Sequence, residues 1–538
     1  MLKRNWLPAI IGLFVSFATF LAATAFAQEK GDYNFVIVDS FSEGASGSSE
    51  IYALPESQVQ DIIDNVQTNY LPSRKFCETL SAAPCQEQTG LSLRIYLPVC
   101  SATVLNFCIE SMGVSANSES PIQTGTLLGY TTGRNYPADP AKGLPEAAST
   151  SRWKVPNVFS KNGTDTYAVK LLLDGFHSYK ANKLFVFQVS AVIEPYVEFT
   201  NNGNPSSECT SWQSGTNCGQ RTDFVEGQKA ELTVRLPNTI TGWLSGRFKG
   251  ASIAINKFDS NQNKLTVSAE TVKVPELNTS LTEAQFKTLP NPSFFMISGI
   301  QWSSVNAGNL AALDWIKQLS GVLNDTATGE HSTWSFSTIS PNGNINKCFQ
   351  DKTQLLGLVM TNSLVYAPAA PDFDGQQLNY QVGGLHFKKD GKTLNTGTYD
   401  LLIRSATARC LYNFTDAPLS ASVTVTTPNG SEQAISTTVL SEKDGWLHLG
   451  AYGFTYSTPT LRVKLKGVSK NQLESNGKSP AQNNAQPTSK SSKNSPSKSA
   501  SKSTSSVKKT YVMTCVKGKV VTKMTVPEPN CPIGWKKK

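Results

Sequence analysis

The chain has 538 residues, with 49 Lys and Arg against 40 Asp and Glu, a net charge of +9. That basicity is confined to one end: residues 468–538 hold 14 Lys, no Arg and only Glu474 and Glu528, a net +12, so residues 1–467 sum to −3. The balance argues against a nucleic-acid-binding body, and four His with ten Cys in no CxxC spacing argue against structural zinc.

In chain order, Lys3 and Arg4 precede an apolar run from Trp6 to Leu21 and an AxA-like site at Ala25, Phe26 and Ala27. Residues 1–27 read as a signal peptide that leaves Gln28 first; a retained anchor is disfavoured because the run is short for a spanning helix. No later segment has a transmembrane pattern, so any attachment to the envelope must come from elsewhere. The pattern predicts an N-terminal β-rich domain over 28–227. It begins with a helix from Pro55, whose Val59, Ile62, Ile63 and Val66 share a face, and continues through the strand KLFVFQVSAVI to an Asn/Ser/Gly-rich loop at Asn201–Gln220.

A middle α+β or β domain is expected over 228–341, with strands ASIAINKF and KLTVSAETVKV and a helix carrying Leu313, Ile316, Leu319 and Leu323. Between those strands Asp259, Asn261, Asn263 and Glu270 echo calcium-loop spacing. Lys264 replaces the expected glycine, so a polar hairpin turn is the preferred reading and calcium the weak alternative. Residues 342–467 read as a β-sandwich of immunoglobulin-like architecture, because strands such as SASVTVTT and the alternation of Leu461, Val463 and Leu465 with Arg462, Lys464 and Lys466 recur between turns. Tyr399 stands eleven residues before Cys410, not two, which argues against an antibody-type domain. The fold class expected is therefore mainly β, multidomain, with a few packing helices.

The cysteines fall into near neighbours, expected to pair as Cys77 with Cys85, Cys100 with Cys108, Cys209 with Cys218, Cys348 with Cys410, and Cys515 with Cys531. Such bonds persist in oxidising compartments. The chain-entropy estimate gives about 4 kcal/mol for the Cys348–Cys410 loop and about 3 kcal/mol for the tail loop, which matters most in a module too small for a core of its own.

Residues 468–506 form a Ser/Lys-rich linker with the composition of a disordered chain, spanning about 35 Å as a coil. Residues 507–538 form a two-Cys module. Tyr511, Met513 and Cys515 share one strand face, Lys517, Gly518 and Lys519 turn, and Val520–Val526 returns. Lys517, Lys519, Lys523, Lys536, Lys537 and Lys538, with Trp535 nearby, then suit contact with a polyanion, the alternative being a solubilising tail.

The pattern TCVKGK, a second Lys-bearing strand, CPIGW and a closing KKK resembles the tail of uncharacterised secreted or cell-surface proteins of actinobacteria that end in TCVKGK and CPxGY or CPxGW. The stretches YDLLIRSATARCLYNFTDAPLSASVTV and GWLHLGAYGFTYSTPTLRVKL resemble domains that accompany such tails, while Trp535 stands where Tyr is frequent. The resemblance implies an extracellular, cell-associated protein and brings no activity with it.

The GxSxG, HExxH, P-loop and dinucleotide fingerprints are all missing from the sequence. His386 and His448 lie between apolar neighbours and read as hydrogen-bonded sheet histidines, and Asp372 and Asp374 in PDFDG read as turn formers. No cofactor is expected. The sequence points to a non-enzymatic, secreted or surface-exposed protein, binding or structural, whose basic end associates with an anionic wall polymer or glycan. A carbohydrate-binding protein, if Trp302, Trp315, Trp334 and Trp446 were exposed together, and a secreted hydrolase with an unrecognised site are the alternatives.

Overall fold

The computed structural model describes residues 33–38, 47–63, 74–86, 90–200, 209–214, 216–238, 240–295, 302–339, 346–351, 353–367, 369–413, 420–426, 432–433, 437–456, 460–466, 511–517, 520–526 and 536–537. They fall into two compact units, within Met1–Gly477 and Lys478–Lys538. The expected signal peptide and the whole linker 468–506 lie outside the described residues, as do Val66 of the first helix, Lys519, Cys531, Trp535 and Lys538. The protein is mainly β, as its composition and alternation predict.

A large sheet organises the first unit. Strand Thr166–Ser178 pairs antiparallel with Lys183–Thr200, which pairs with Gly329–Ile339, and that strand in turn with Gly242–Arg247. Gly242–Arg247 runs parallel to Leu355–Thr361, after which Thr396–Arg404, Trp446–Thr455 and Thr437–Lys443 follow antiparallel. The central segments GWLSGR and LLGLVMT are buried at every position, because successive side chains point to opposite faces and both faces are covered. Leu244, Leu358, Met360 and Leu402 enter one core, whereas their neighbours Trp243, Val359, Leu401 and Ile403 enter another. Each such burial contributes about 1.5–3 kcal/mol. The close packing leaves no room at Gly357, where a Cβ would come within 2.1 Å of the Trp243 ring on the adjacent strand.

The first core is closed by a five-stranded sheet, whose Ile109, Met112, Val114, Leu232, Val234, Leu265 and Val267 lie inward while Glu231 and Lys264 on the same strands stay partly exposed. A six-stranded sheet contributes Val365, Leu378, Tyr380, Val382 and Leu461 to the second core, opposite Leu401, Leu447, Leu449 and Ala451 of the large sheet. Residues 342–467 therefore supply both layers of a sandwich. Helix Ala312–Leu319 packs Ala312, Ile316 and Leu319 into the same core, with Leu313 and Leu323 partly buried beside it. Helix Glu56–Ile63 starts directly after Pro55 and buries Val59.

Strand pairing passes over the expected limits near 227 and 341. Cys108–Ser115 pairs with Lys229–Pro237, Lys183–Thr200 with Gly329–Ile339, and Gly242–Arg247 with Leu355–Thr361. Among the described residues four disulfides join Cys77 to Cys85, Cys100 to Cys108, Cys209 to Cys218 and Cys348 to Cys410. The last ties the helical turn Lys347–Phe349 to helix Ser405–Tyr412, so it does not bridge two facing strands as in antibody domains.

In the second unit, Tyr511–Lys517 pairs antiparallel with Val520–Val526, as the hairpin reading predicts. A third strand, Lys536–Lys537, pairs with the other side of Tyr511–Lys517. Backbone pairing thus recruits two residues whose charge reads as coil in isolation.

Candidate binding surfaces

In the tail sheet, Lys517 ends the first strand opposite Val520, and Lys523 pairs with Thr514. Lys536 and Lys537 pair with Val516 and Cys515. The sheet therefore brings four of the expected polyanion-contacting lysines into one small unit. It also brings the strand after Cys531 beside Cys515, although Cys531 itself lies outside the described residues.

The residues considered for calcium serve other ends. Asp259 accepts from the Asn261 amide at 2.7 Å and from Gln262 Nε2 at 2.8 Å, closing the turn between strands Lys249–Lys257 and Gln262–Glu270. Asn263 pairs with Lys257, while Glu270 sits at the far end of its strand and meets Lys249 Nζ at 2.7 Å. Among the described residues, no group of three or more His, Cys, Asp and Glu could hold a metal ion. Asp374 likewise accepts from the amides of Gln376 and Gln377, each at 2.9 Å, in a turn.

Three histidines pair with carboxylates. His448 Nε2 lies 2.7 Å from Asp400 Oδ1, which also accepts from the Tyr452 hydroxyl, and the Gly250 amide reaches the other oxygen at 3.3 Å. The arrangement needs Gly450, opposite Asp400 in the ladder between His448 and Tyr452, since a Cβ there would stand 2.6 Å from the Tyr452 hydroxyl and 3.0 Å from the carboxylate. Burial pushes the Tyr452 phenol up, and the Asp400 charge adds to it. His386 bonds Asp325, and His331 Nδ1 lies 2.7 Å from Glu276 Oε1. Burial raises Glu276, but the hydrogen bond and charge of His331, with Arg221 and Lys389, outweigh it and hold the carboxyl below its usual value. Among the described residues neither His331 nor His448 has a hydroxyl or thiol of Ser, Thr or Cys as a partner. The fourth, His177, is buried, which lowers its pKa.

Of the four tryptophans considered for a sugar platform, the three whose side chains are described pack inward or against neighbours. Trp334 is fully buried, Trp446 lies under the Arg404 guanidinium at 4.1 Å, and Trp315 meets Phe295 edge-on at 5.1 Å beside the second core. Trp302 opens strand Trp302–Asn306 opposite Asn34. What sequence reading missed is a partly exposed stack: Arg74 over Tyr52, Tyr52 against Phe76, and Arg134 over Phe76. Its members lie too far apart in the chain for a motif to betray them. The chain matches no family model, no curated protein and no solved structure.

Proposed function

We propose that the protein is a non-enzymatic, exported protein of the cell surface, whose β-rich body is a stable scaffold and whose basic tail associates with an anionic wall polymer. The observation that carries the reading is the partition of charge between the two units. Residues 478–538 hold 13 Lys and one acidic residue, whereas the rest of the chain is net −3. Four disulfides and the signal-like start support an oxidising, extracytoplasmic setting, and the likeness of the tail to secreted actinobacterial proteins points the same way. Exposed lysines act through long-range attraction, so their contribution is screened within about 10 Å at 0.1 M salt.

The test compares the full chain with one ending at Gly467 on anionic wall preparations. The full chain is expected to bind at low salt and to leave as salt rises, and the truncated chain to bind more weakly at every salt concentration. Equal retention of both at low salt would leave the tail as a solubilising device.

A further inference from the structure

The stack at Tyr52 and Phe76 is built rather than incidental. Tyr52 in strand Glu50–Leu54 is the ladder partner of Phe76 in Lys75–Phe76, and their rings meet edge-on at 5.3 Å. Phe76 is fixed by its neighbour Cys77, which is bonded to Cys85, donates its amide to the Ile51 carbonyl at 2.9 Å, and offers its own carbonyl to the Tyr136 hydroxyl at 2.7 Å. Two residues before Tyr136, the Arg134 amide donates to Ser48 Oγ at 2.8 Å. The Arg74 and Arg134 guanidiniums each lie 4.4 Å from a ring centroid. A guanidinium laid over a ring keeps its in-plane N–H groups directed outward, in the fork that matches carboxylate and phosphate oxygens.

Among the described residues, carboxylates leave most of that capacity unused. Among the described residues no carboxylate forms an ion pair with Arg74, and the one that reaches Arg134 is Glu78, 3.8 Å away and 75% exposed. Such a contact is weak and yields readily to a better partner. The rings, covered by cations, do not offer the bare faces on which a neutral sugar would stack. Two forks separated by an aromatic pair suit two oxyanions carried on one chain better than a single small anion.

We propose that Arg74 and Arg134 form a body-borne contact for a polymer bearing repeated oxyanions, phosphodiester or carboxylate. It rests on the polyanion reading of the tail for the kind of partner, but not for its own residues.

The test uses the full chain, titrated with polyphosphate and separately with polygalacturonate at low salt. Arg74→Ala with Arg134→Ala is expected to weaken binding at least fivefold while every tail lysine remains. Arg74→Lys with Arg134→Lys keeps the charges without the fork and is expected to stay at least twofold weaker than the parent. A thermal melt checks that each variant is folded. Should the double alanine variant unfold, Arg134→Gln alone, which leaves the backbone bond to Ser48 in place, is expected to weaken binding about threefold, or about 0.7 kcal/mol.

Loss toward polyphosphate alone identifies phosphate as the recognised group, loss toward polygalacturonate alone identifies carboxylate, and loss toward both supports the shared chemistry. Affinity unchanged within twofold for both polymers in the folded arginine variants overturns the proposal. A parallel variant, Lys517→Gln with Lys523→Gln, Lys536→Gln and Lys537→Gln, separates the two readings. If it binds as the parent does while the arginine variants lose affinity, the tail reading fails and this one stands; if it alone loses binding, the reverse holds.

Discussion

In the body, cations sit against anions: Lys170 meets Glu194 at 3.0 Å with both side chains almost fully buried, and Arg235 and Lys264 share Glu110. In residues 478–538, thirteen lysines have a single acidic residue, Glu528, in the same segment. Charge in the first region is part of the fold, since a buried ion is tolerated only with its partner and its hydrogen bonds. Glu194, for instance, also accepts from Ser211 Oγ at 2.9 Å. In the second region a single acidic residue of the segment cannot neutralise thirteen lysines, and that excess underlies the proposal that they meet an outside anion. Substitutions that break these paired body charges should therefore act on stability, and substitutions of the tail lysines on binding.

The largest effect is expected at the buried pair. Lys170→Met strands Glu194 without its cation and should cost about 3–5 kcal/mol of body stability in a denaturant titration, whereas adding Glu194→Leu should recover much of it. A loss below about 1 kcal/mol for the single variant would place water or another cation at Glu194. Next, Cys348→Ala with Cys410→Ala opens a bond between residues 62 positions apart and should cost about 4 kcal/mol or less in the same assay, the chain-entropy estimate being an upper figure for a native loop. Polyanion binding by the tail should be unchanged in folded samples of both. The mirror experiment is Lys517→Gln with Lys536→Gln and Lys537→Gln. It should leave the body's melting curve in place and lower affinity for a polyanion severalfold, most at low salt.

Short-range features of this fold were legible in the sequence. The first three disulfides close loops of eight or nine residues, so near neighbours in the chain are near neighbours in space. The turn at Asp259–Gln262 follows from Asx chemistry, and the tail hairpin from Gly518 between alternating strands. Long-range features were not. LLGLVMT reads as a continuous apolar run, and nothing in it says that Leu358 and Val359 serve two different cores. Local turn chemistry could not show that strands on either side of residues 227 and 341 share hydrogen bonds. Lys536–Lys537 has poor strand propensity, and its pairing comes from the neighbouring strand rather than from its own residues. His448 and Asp400 are 48 positions apart, and Arg134 lies 58 positions from Phe76, separations at which single-sequence patterns carry no contact information.

The smallest effect sharpens the comparison at an intermediate site, where a body carboxylate is partly wet. Glu276 is 37% exposed and faces His331, Arg221 and Lys389, which hold its carboxyl below the usual value of 4.5 against the opposing effect of burial. Because the folded group ionises more readily than the unfolded one, its contribution is complete above the unfolded value and is lost as pH falls toward the folded value. Solvent screening limits it to about 0.5 kcal/mol. Melting curves of the parent and of Glu276→Gln should therefore differ slightly near pH 6 and converge as the pH is lowered below the usual value and through the folded one. A difference that widens with acidification would mean that Glu276 is protonated more readily in the fold. Its bond to His331 would then not be an ion pair of the kind found at Lys170 and Glu194.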